Sequence, residues 1–124
     1  MRKGKTAFHK IVGDAATILY SNVLIGLSFS LVADLDTSQA NKDLITKILF
    51  NSIHRMCRGQ LIELENLQSS VEDWERIYED KTAALLTAAC EIGAILADAS
   101  QKDMMDAIQY GYYLGMGYQL ADDL

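Results

Sequence analysis

The end of the sequence carries three oxygen-bearing side chains at helical spacing. Gln119, Asp122 and Asp123 occupy positions i, i+3 and i+4, which lie on one face of an α-helix. Two carboxylates beside an amide suit Mg²⁺, which proteins usually hold through one or two carboxylates together with substrate phosphates. The alternative is a solvated helix end, although the helix dipole disfavours acids at a C-terminus. On spacing alone, both interpretations stay open.

Positive charge occurs at two places that suit a phosphate ligand. Lys81, followed by Thr82, lies at the edge of an apolar helical run. Its ammonium either extends to water or binds phosphate as a point charge, and the neighbouring hydroxyl is able to face developing positive charge. Arg2, Lys3 and Lys5 form a basic turn before the first predicted helix. This turn is either a solvated terminus or a contact for a small anion.

Other polar positions give weaker signals. Gln60, Glu63 and Glu65 insert polar groups into the second predicted helix, and by themselves they indicate no particular chemistry. His9 and His54 have no triad partner or metal partner at a useful spacing, so we interpret both histidines as structural.

Four helices are predicted to position these groups. The sequence contains no proline and no β-type alternation of any length, so we expect an all-α bundle. Ser69 or Ser70, each followed three residues later by an acid, caps the third helix, and Ser100 with Asp103 caps the fourth. The predicted helices cover residues 13–33, 41–67, about 71–98 and about 101–124.

The fourth predicted helix is unusually rich in glycine. Gly111, Gly115 and Gly117 fall within seven residues of one another, although each destabilises a helix by about 1 kcal/mol relative to alanine. We therefore predict either close backbone packing along this helix or space left for a ligand.

Composition and charge exclude several classes of protein. A chain of 124 residues forms one domain at most. Its net charge of −6 argues against a nucleic-acid partner, since a polyanion would be repelled. Cys57 and Cys90 lack metal-ligand spacing and fall in apolar runs, so we expect free thiols in a reducing, cytoplasmic compartment. No secretory signal pattern is present.

Residues 15–33 carry no charge and approach the length of a membrane span. The segment contains too many serine, threonine and asparagine side chains for a lone span. We therefore predict no transmembrane segment. The favoured interpretation is a helix buried all round, either in a bundle core or against a partner subunit.

Four segments occur in an order and approximate spacing that resembles the trans-isoprenyl diphosphate synthases, the polyprenyl synthetase family. They are RKGKTAFHKIVGDAATIL, GQLIELE, EDKTAALLTAACEIGAILAD and YGYYLGMGYQLADDL. The resemblance spans the whole chain. It implies a partial isoprenoid-synthase-type bundle of about four long helices, with residues 1–124 as a single partial domain. It also implies a homodimer, or a heteromer with another synthase subunit.

The resemblance further implies a reaction and its participants. Family members condense an allylic diphosphate with isopentenyl diphosphate, and Mg²⁺ assists the loss of diphosphate that gives an allylic carbocation. Thr82 and Gln119 resemble the groups that stabilise this cation through oxygen dipoles. The implied roles are Lys81, Thr82 and Gln119 as catalytic groups, Arg2, Lys3 and Lys81 as diphosphate ligands, Gln60 as a cavity-lining group, and Asp122 and Asp123 as metal ligands.

The sequence also departs from the family pattern. The first aspartate-rich motif should precede Arg2 and is absent, and the third aspartate of the second motif would lie beyond residue 124. Lys3 stands where an arginine is usual, which keeps the charge but loses the bidentate fork. Thr6 replaces a proline, and Ser21 with Asn22 replaces a Gly-Asp pair.

These departures lead to one expectation and two alternatives. We expect the middle third of a synthase, inactive as an isolated chain because half of the metal ligands are missing. One alternative is a non-catalytic subunit of a heteromeric prenyl synthase. The other is a helical-bundle module without diphosphate chemistry. Helices taken from a larger bundle leave apolar faces uncovered, so we also predict self-association through the first two helices.

Overall fold

The computed structural model describes residues 4, 6–65 and 70–122, and every regular element in these ranges is helical. This confirms the predicted all-α class. The four long predicted helices correspond to α2, α3, the run from α4 to α5, and α6, and a short α1 is added. The bounds are α1 Phe8–Val12, α2 Asp14–Ala33, α3 Gln39–Leu64, α4 Val71–Tyr78, a π-helical segment Glu79–Ala83, α5 Ala84–Leu96 and α6 Gln101–Asp122.

The chain divides into two compact units, Met1–Asp36 and Thr37–Leu124. In the first unit, Gly13 adopts a φ of 85° between α1 and α2, a left-handed conformation that glycine reaches without a Cβ clash. The rings of Phe8 and Tyr20 meet edge to face, with centroids 5.7 Å apart. The first unit is therefore a short helix folded back on a long one.

The long apolar helix α2 is mostly exposed. By length and composition it could cross a membrane, and of its twenty residues only Val32 is buried. The hydroxyls of Thr17 and Ser21 donate to the carbonyls of Gly13 and Thr17, at 2.8 and 2.9 Å, so the helix satisfies these polar groups internally. Burial in a bundle core, one of the two predicted environments, is not observed within the compact unit that contains α2. Burial against a partner subunit stays a prediction.

The second unit is built on α3, against which the π-helical segment and α5 pack, while α6 packs on α5 and on the π-helical segment. Its core is made of small and branched apolar side chains. The buried apolar residues of this unit are Ile45, Ile77, Ala83, Ala84, Ala88 and Ile95.

Two glycines let α6 approach its neighbours at backbone distance. A Cβ built on Gly111 would lie 2.7 Å from the Cα of Thr87, and one built on Gly115 would collide with the backbone of Ala83. Among the described residues, a Cβ on Gly117 would meet nothing within 4 Å. Close packing therefore accounts for two of the three glycines, and no described residue packs against Gly117.

The predicted caps are largely confirmed. Ser70 and Asp73 form the reciprocal capping box at the start of α4, whereas Ser69 lies outside the described residues. Ser100 accepts a hydrogen bond from the backbone N–H of Asp103 at 3.2 Å at the start of α6. Each cap satisfies a backbone donor that a helix N-terminus leaves unpaired.

The third predicted helix is not a uniform α-helix. The π-helical segment Glu79–Ala83 interrupts it between α4 and α5, and nothing in the apolar periodicity predicts this interruption. Short π-helical turns of this kind occur frequently at functional sites.

Candidate active site

Three consecutive side chains of the π-helical segment reach three different partners. Asp80 contacts two arginines of α3, Lys81 contacts a glutamate of α3, and Thr82 contacts a glutamine of α6. The segment itself is pressed between the two helices at Gly59 and Gly115. Its side chains therefore connect residues that lie far apart in the sequence.

Thr82 and Gln119 form a direct hydrogen bond. The Thr82 hydroxyl donates to Oε1 of Gln119 at 2.6 Å, across 37 positions of sequence. Gln119 is buried, with only 4% of its surface exposed. The structure thus brings together two of the three predicted catalytic residues, and it ties the end of α6 to the π-helical segment.

Lys81, the third of these residues, is paired with Glu63. Its ammonium donates to both carboxylate oxygens, at 2.9 and 2.8 Å, and both side chains keep about a quarter of their surface exposed (24% each). Gln60, the predicted cavity-lining residue, donates from Nε2 to Oε2 of Glu63 at 2.8 Å. A lysine ammonium has three N–H donors, and this pairing uses two of them.

Asp80 is the centre of an ionic network that the sequence reasoning missed. Its carboxylate is buried and accepts from Nε of Arg55 at 2.7 Å and from Nε of Arg58 at 2.8 Å. Arg58 reaches the same oxygen with Nη2, and Arg55 also donates from Nη2 to Glu79 at 2.5 Å. The sequence signal was available: two arginines at positions i and i+3 lie on one helical face, and an acid directly precedes Lys81.

The network is strong enough to determine the titration of Arg55. Burial of its guanidinium lowers the pKa, but the hydrogen bonds to Asp80 and Glu79, and the negative charges of both carboxylates, raise it by more. The pKa of Arg55 therefore lies above its ordinary value. Hydrogen bonds between ionised groups are about twice as strong as neutral ones, which agrees with this direction.

An apolar recess of about 260 Å³ opens beside the two central site residues. Lys81 and Thr82 line one part of it, and Leu85, Leu86 and Tyr118 supply the rest. An ammonium and a hydroxyl next to leucine side chains give one end of a ligand a charge to bind and leave its other end in an apolar space.

The remaining predicted residues are only partly described. Arg2, Lys3 and Asp123 lie outside the described residues. Asp122 ends α6 and is exposed, whereas the amide of Gln119, one turn earlier, is buried against Thr82. Over residues 4, 6–65 and 70–122, no group of three or more histidine, cysteine, aspartate or glutamate side chains could hold a metal ion. Asp122 suits Mg²⁺ by donor type, since its carboxylate oxygens are hard ligands.

Comparison with known proteins places the chain in a family. The family model described as polyprenyl synthetase matches residues 1–124. The chain belongs to the polyprenyl synthetase family. The predicted resemblance is therefore confirmed.

Curated members of the polyprenyl synthetase family are similar along the whole chain. It is 34% identical to the farnesyl diphosphate synthase of Bacillus subtilis over 131 residues, which covers 100% of this chain and 44% of that protein. It is 30% identical to the short chain isoprenyl diphosphate synthase of Methanocaldococcus jannaschii over 126 residues, covering 99% and 38%. The chain thus spans about two-fifths of the length of these relatives.

The fold of this chain is similar to solved structures of prenyl diphosphate synthases. The geranylgeranyl pyrophosphate synthetase from Pyrococcus horikoshii matches with a TM-score of 0.89 and 26% identity, over 99% of this chain and 38% of that one. The decaprenyl diphosphate synthase from Rhodobacter capsulatus matches with a TM-score of 0.85 and 27% identity, over 98% and 39%. The prediction of a partial isoprenoid-synthase-type fold is confirmed.

Proposed function

We propose that this chain is part of an isoprenyl diphosphate synthase that joins an allylic diphosphate to isopentenyl diphosphate through a carbocation. The observation that carries the proposal is the hydrogen bond from Thr82 to Gln119, which lies directly beside Lys81 at the apolar recess. A cation-binding group, an anion-binding group and an apolar space therefore lie next to one another. Membership of the polyprenyl synthetase family supports the same reaction.

Lys81 is the proposed ligand of the allylic diphosphate. Its ammonium is held by the two oxygens of Glu63, so its position is fixed before a ligand arrives. A positive point charge at the edge of the recess attracts the diphosphate end of the substrate. The hydrocarbon end then lies along Leu85 and Leu86.

Thr82 and Gln119 are the proposed stabilisers of the allylic cation. The Thr82 hydroxyl donates a hydrogen bond to Oε1 of Gln119, so the lone pairs of the hydroxyl oxygen stay available to face positive charge. A fixed dipole of this kind stabilises charge that develops as the C–O bond to diphosphate breaks. The double bond of isopentenyl diphosphate attacks the cation to form the new C–C bond, and a proton is then lost. The apolar walls exclude water, which would otherwise quench the cation.

Mg²⁺ is the proposed cofactor, with Asp122 and Asp123 as protein ligands. When bound, the ion neutralises negative charge on the departing diphosphate. Asp122 contributes a carboxylate oxygen at the end of α6, and the diphosphate supplies further oxygens. Arg2 and Lys3 are proposed as additional diphosphate contacts.

We further propose that both compact units belong to one synthase domain, which works in the cytoplasm as a dimer without a transmembrane segment. The 124 residues taken alone contain only one pair of aspartates matching a family metal motif. We therefore expect no condensation from the purified chain incubated with Mg²⁺, isopentenyl diphosphate and an allylic diphosphate. Prenyl product above background would overturn this expectation of inactivity.

Diphosphate binding tests the proposed site directly. Calorimetric titration of the chain with Mg²⁺ and inorganic pyrophosphate should show binding that Lys81→Glu abolishes, because the substitution replaces an attracting charge with a repelling one. Lys102→Glu is the matched control. Lys102 is exposed on α6, and its substitution by glutamate changes the net charge by the same amount. Equal binding by wild type and Lys81→Glu would end the diphosphate assignment.

A non-catalytic subunit is the second candidate, and the exposed apolar surface of α2 favours it. Side chains such as Leu19, Val23 and Leu24 are each 65% exposed, which is typical of a surface that a partner covers. Co-purification with a full-length synthase subunit would support this role. A single monomeric species by light scattering, unchanged by that subunit, would contradict both this role and the predicted self-association.

A further inference from the structure

We propose that Asp80 is a positioning residue, which fixes the π-helical segment to α3 so that Lys81 and Thr82 meet their partners. The consequence for ligand binding rests on the proposed function, but the positioning role itself concerns contacts within the chain. Asp80 is placed to act through its neighbours and not on a substrate, since its carboxylate faces Arg55 and Arg58.

The environment of Asp80 differs from that of a surface ion pair. Asp80 is 6% exposed. Both of its carboxylate oxygens accept hydrogen bonds, Oδ1 from Arg55 and Oδ2 from Arg58. A buried carboxylate is tolerated when it is paired and hydrogen-bonded. Each guanidinium donates through two nitrogens to this acidic cluster, Arg55 to Asp80 and Glu79 and Arg58 to Asp80 alone. The planar forks therefore specify the direction of the Asp80 side chain as well as its charge.

The backbone around Asp80 leaves the segment little freedom. A Cβ built on Gly59 of α3 would lie 2.7 Å from the backbone nitrogen of Lys81 and 3.0 Å from the Cβ of Asp80. On the other side, Gly115 of α6 approaches the backbone of Ala83 just as closely. Backbone packing therefore sets the distance of the segment from both helices. The side-chain contacts determine how the segment is rotated about its own axis.

Rotation is what the ionic network determines. Successive residues of a helix point in different directions around its axis, so fixing Asp80 also fixes the directions of Lys81 and Thr82. A rotation of the segment would move Lys81 away from Glu63 and Thr82 away from Gln119 at the same time. The three contacts act as one unit, and Asp80 is the only buried charge among them.

The structure also gives an opposite hypothesis that an experiment can separate. In this hypothesis Arg55 and Arg58 form an anion-binding site that the Asp80 carboxylate blocks. Removal of the Asp80 charge would then free both guanidiniums and strengthen pyrophosphate binding. If Asp80 positions Lys81, the same change weakens binding. The sign of the effect therefore decides between them.

The test compares Asp80→Asn with Asp106→Asn in the 124-residue chain. Asp106 is exposed on α6, and its substitution by asparagine makes the same change in charge and side-chain shape. The first readout is the NMR signal of the Lys81 ammonium, which reports its pairing with Glu63 without any ligand. We expect Asp80→Asn to shift or broaden this signal while the amide spectrum away from the π-helical segment and its contacts on α3 and α6 is retained, and Asp106→Asn to leave the signal unchanged.

The second readout is affinity for pyrophosphate with Mg²⁺. We expect roughly tenfold weaker binding by Asp80→Asn, less than the roughly hundredfold loss that a misplacement of about 1 Å can cause. Asp80→Glu, which keeps the charge, should recover part of the loss. Unchanged or tighter binding together with an unchanged Lys81 signal would overturn the proposal. If wild type binds no pyrophosphate, the proposed function fails, and the ammonium signal alone decides the positioning role.

A milder variant keeps the proposal testable if Asp80→Asn does not fold. The Arg58 side chain is 54% exposed, so Arg58→Gln removes one of the two guanidiniums without opening the core. We expect Arg58→Gln to change the Lys81 ammonium signal in the same way as Asp80→Asn, by a smaller amount. A Lys81 signal identical to wild type in Arg58→Gln would then refute the role of the network.

Discussion

The two sides of the π-helical segment are held by different kinds of interaction. Toward α3 the side-chain contacts are ionic, from Asp80 to its two arginines and from Lys81 to Glu63, and Gly59 adds a close backbone contact. Toward α6 they are neutral: the Thr82–Gln119 hydrogen bond and the backbone contact at Gly115. Ionic contacts specify direction and are weakened by salt, whereas close packing specifies distance and is sensitive to volume. The comparison predicts which variants, and which conditions, affect each side.

The largest effect should come from adding volume on the neutral side. Gly115→Ala places a Cβ against the backbone of Ala83, and overpacking of a core commonly costs about 1–3 kcal/mol, occasionally more. We expect the upper part of that range, because backbone cannot turn aside as a side chain can. Urea unfolding followed by circular dichroism measures the change.

Gly117→Ala is the matched control on the same helix. A Cβ there meets no described residue within 4 Å, so the higher helix propensity of alanine should stabilise the chain by about 0.5–1 kcal/mol. Opposite signs for the two variants support the close approach of α6. Equal effects would show that α6 does not pack against the π-helical segment as described.

The next largest effect should come from the ionic side. Removing one partner of a buried ion pair costs about 3–5 kcal/mol, but the side chains of Arg55 and Arg58 are partly exposed. We therefore expect Asp80→Asn to destabilise the chain by about 2 kcal/mol. Unfolding at low and high salt measures it, and the difference from wild type should shrink at high salt. A variant as stable as wild type at low salt would contradict an ionic contribution to stability.

A smaller and salt-independent effect is expected from Thr82→Val. The substitution keeps the shape but leaves Oε1 of the buried Gln119 without its hydroxyl donor, and such a loss costs about 1 kcal/mol. Thr46→Val is the control, because the Thr46 hydroxyl donates to a backbone carbonyl on an exposed part of α3. If both variants unfold at the same urea concentration, the Thr82 hydrogen bond contributes nothing specific.

The sequence predicted the neutral side better than the ionic side. The spacing of polar groups and the family resemblance singled out Thr82 and Gln119 on the neutral side and only Lys81 on the ionic side. The glycines of α6 also indicated close packing on the neutral side. The all-α fold class and the helix caps were also predictable from the sequence, since both depend on residues three or four positions apart. The contact between Thr82 and Gln119 was not, because it joins positions on two helices and depends on how those helices pack.

The ionic network could not be predicted from local periodicity. Asp80 lies 22 residues from Arg58 and 25 from Arg55, and an acid in a helical run is ordinarily a solvated surface residue. Its burial depends on the π-helical turn, which places it against α3. The exposure of α2 was likewise not foreseen, since an uncharged helix satisfies the same sequence pattern whether a core or a partner covers it.

The smallest effect concerns Glu91, an acid whose pKa is raised by burial. Glu91 of α5 lines a cleft of about 280 Å³ beside Arg55, Asn51 and Thr87. Burial raises the pKa of Glu91 above its ordinary value of 4.5. The folded chain therefore binds more protons than the unfolded chain between these two pKa values, and stability falls as pH rises through that window.

Glu91→Gln, which stays neutral at every pH, removes this dependence. The stability of the variant relative to wild type should increase as pH rises from 4 toward 7, as measured by thermal unfolding at a series of pH values. Glu75→Gln, on the exposed part of α4, reports the effect of removing one surface charge and is subtracted. A relative stability that stays constant, or declines with rising pH, would show that burial does not govern Glu91. The contrast between an ion-paired Asp80 and a desolvated Glu91 would then disappear.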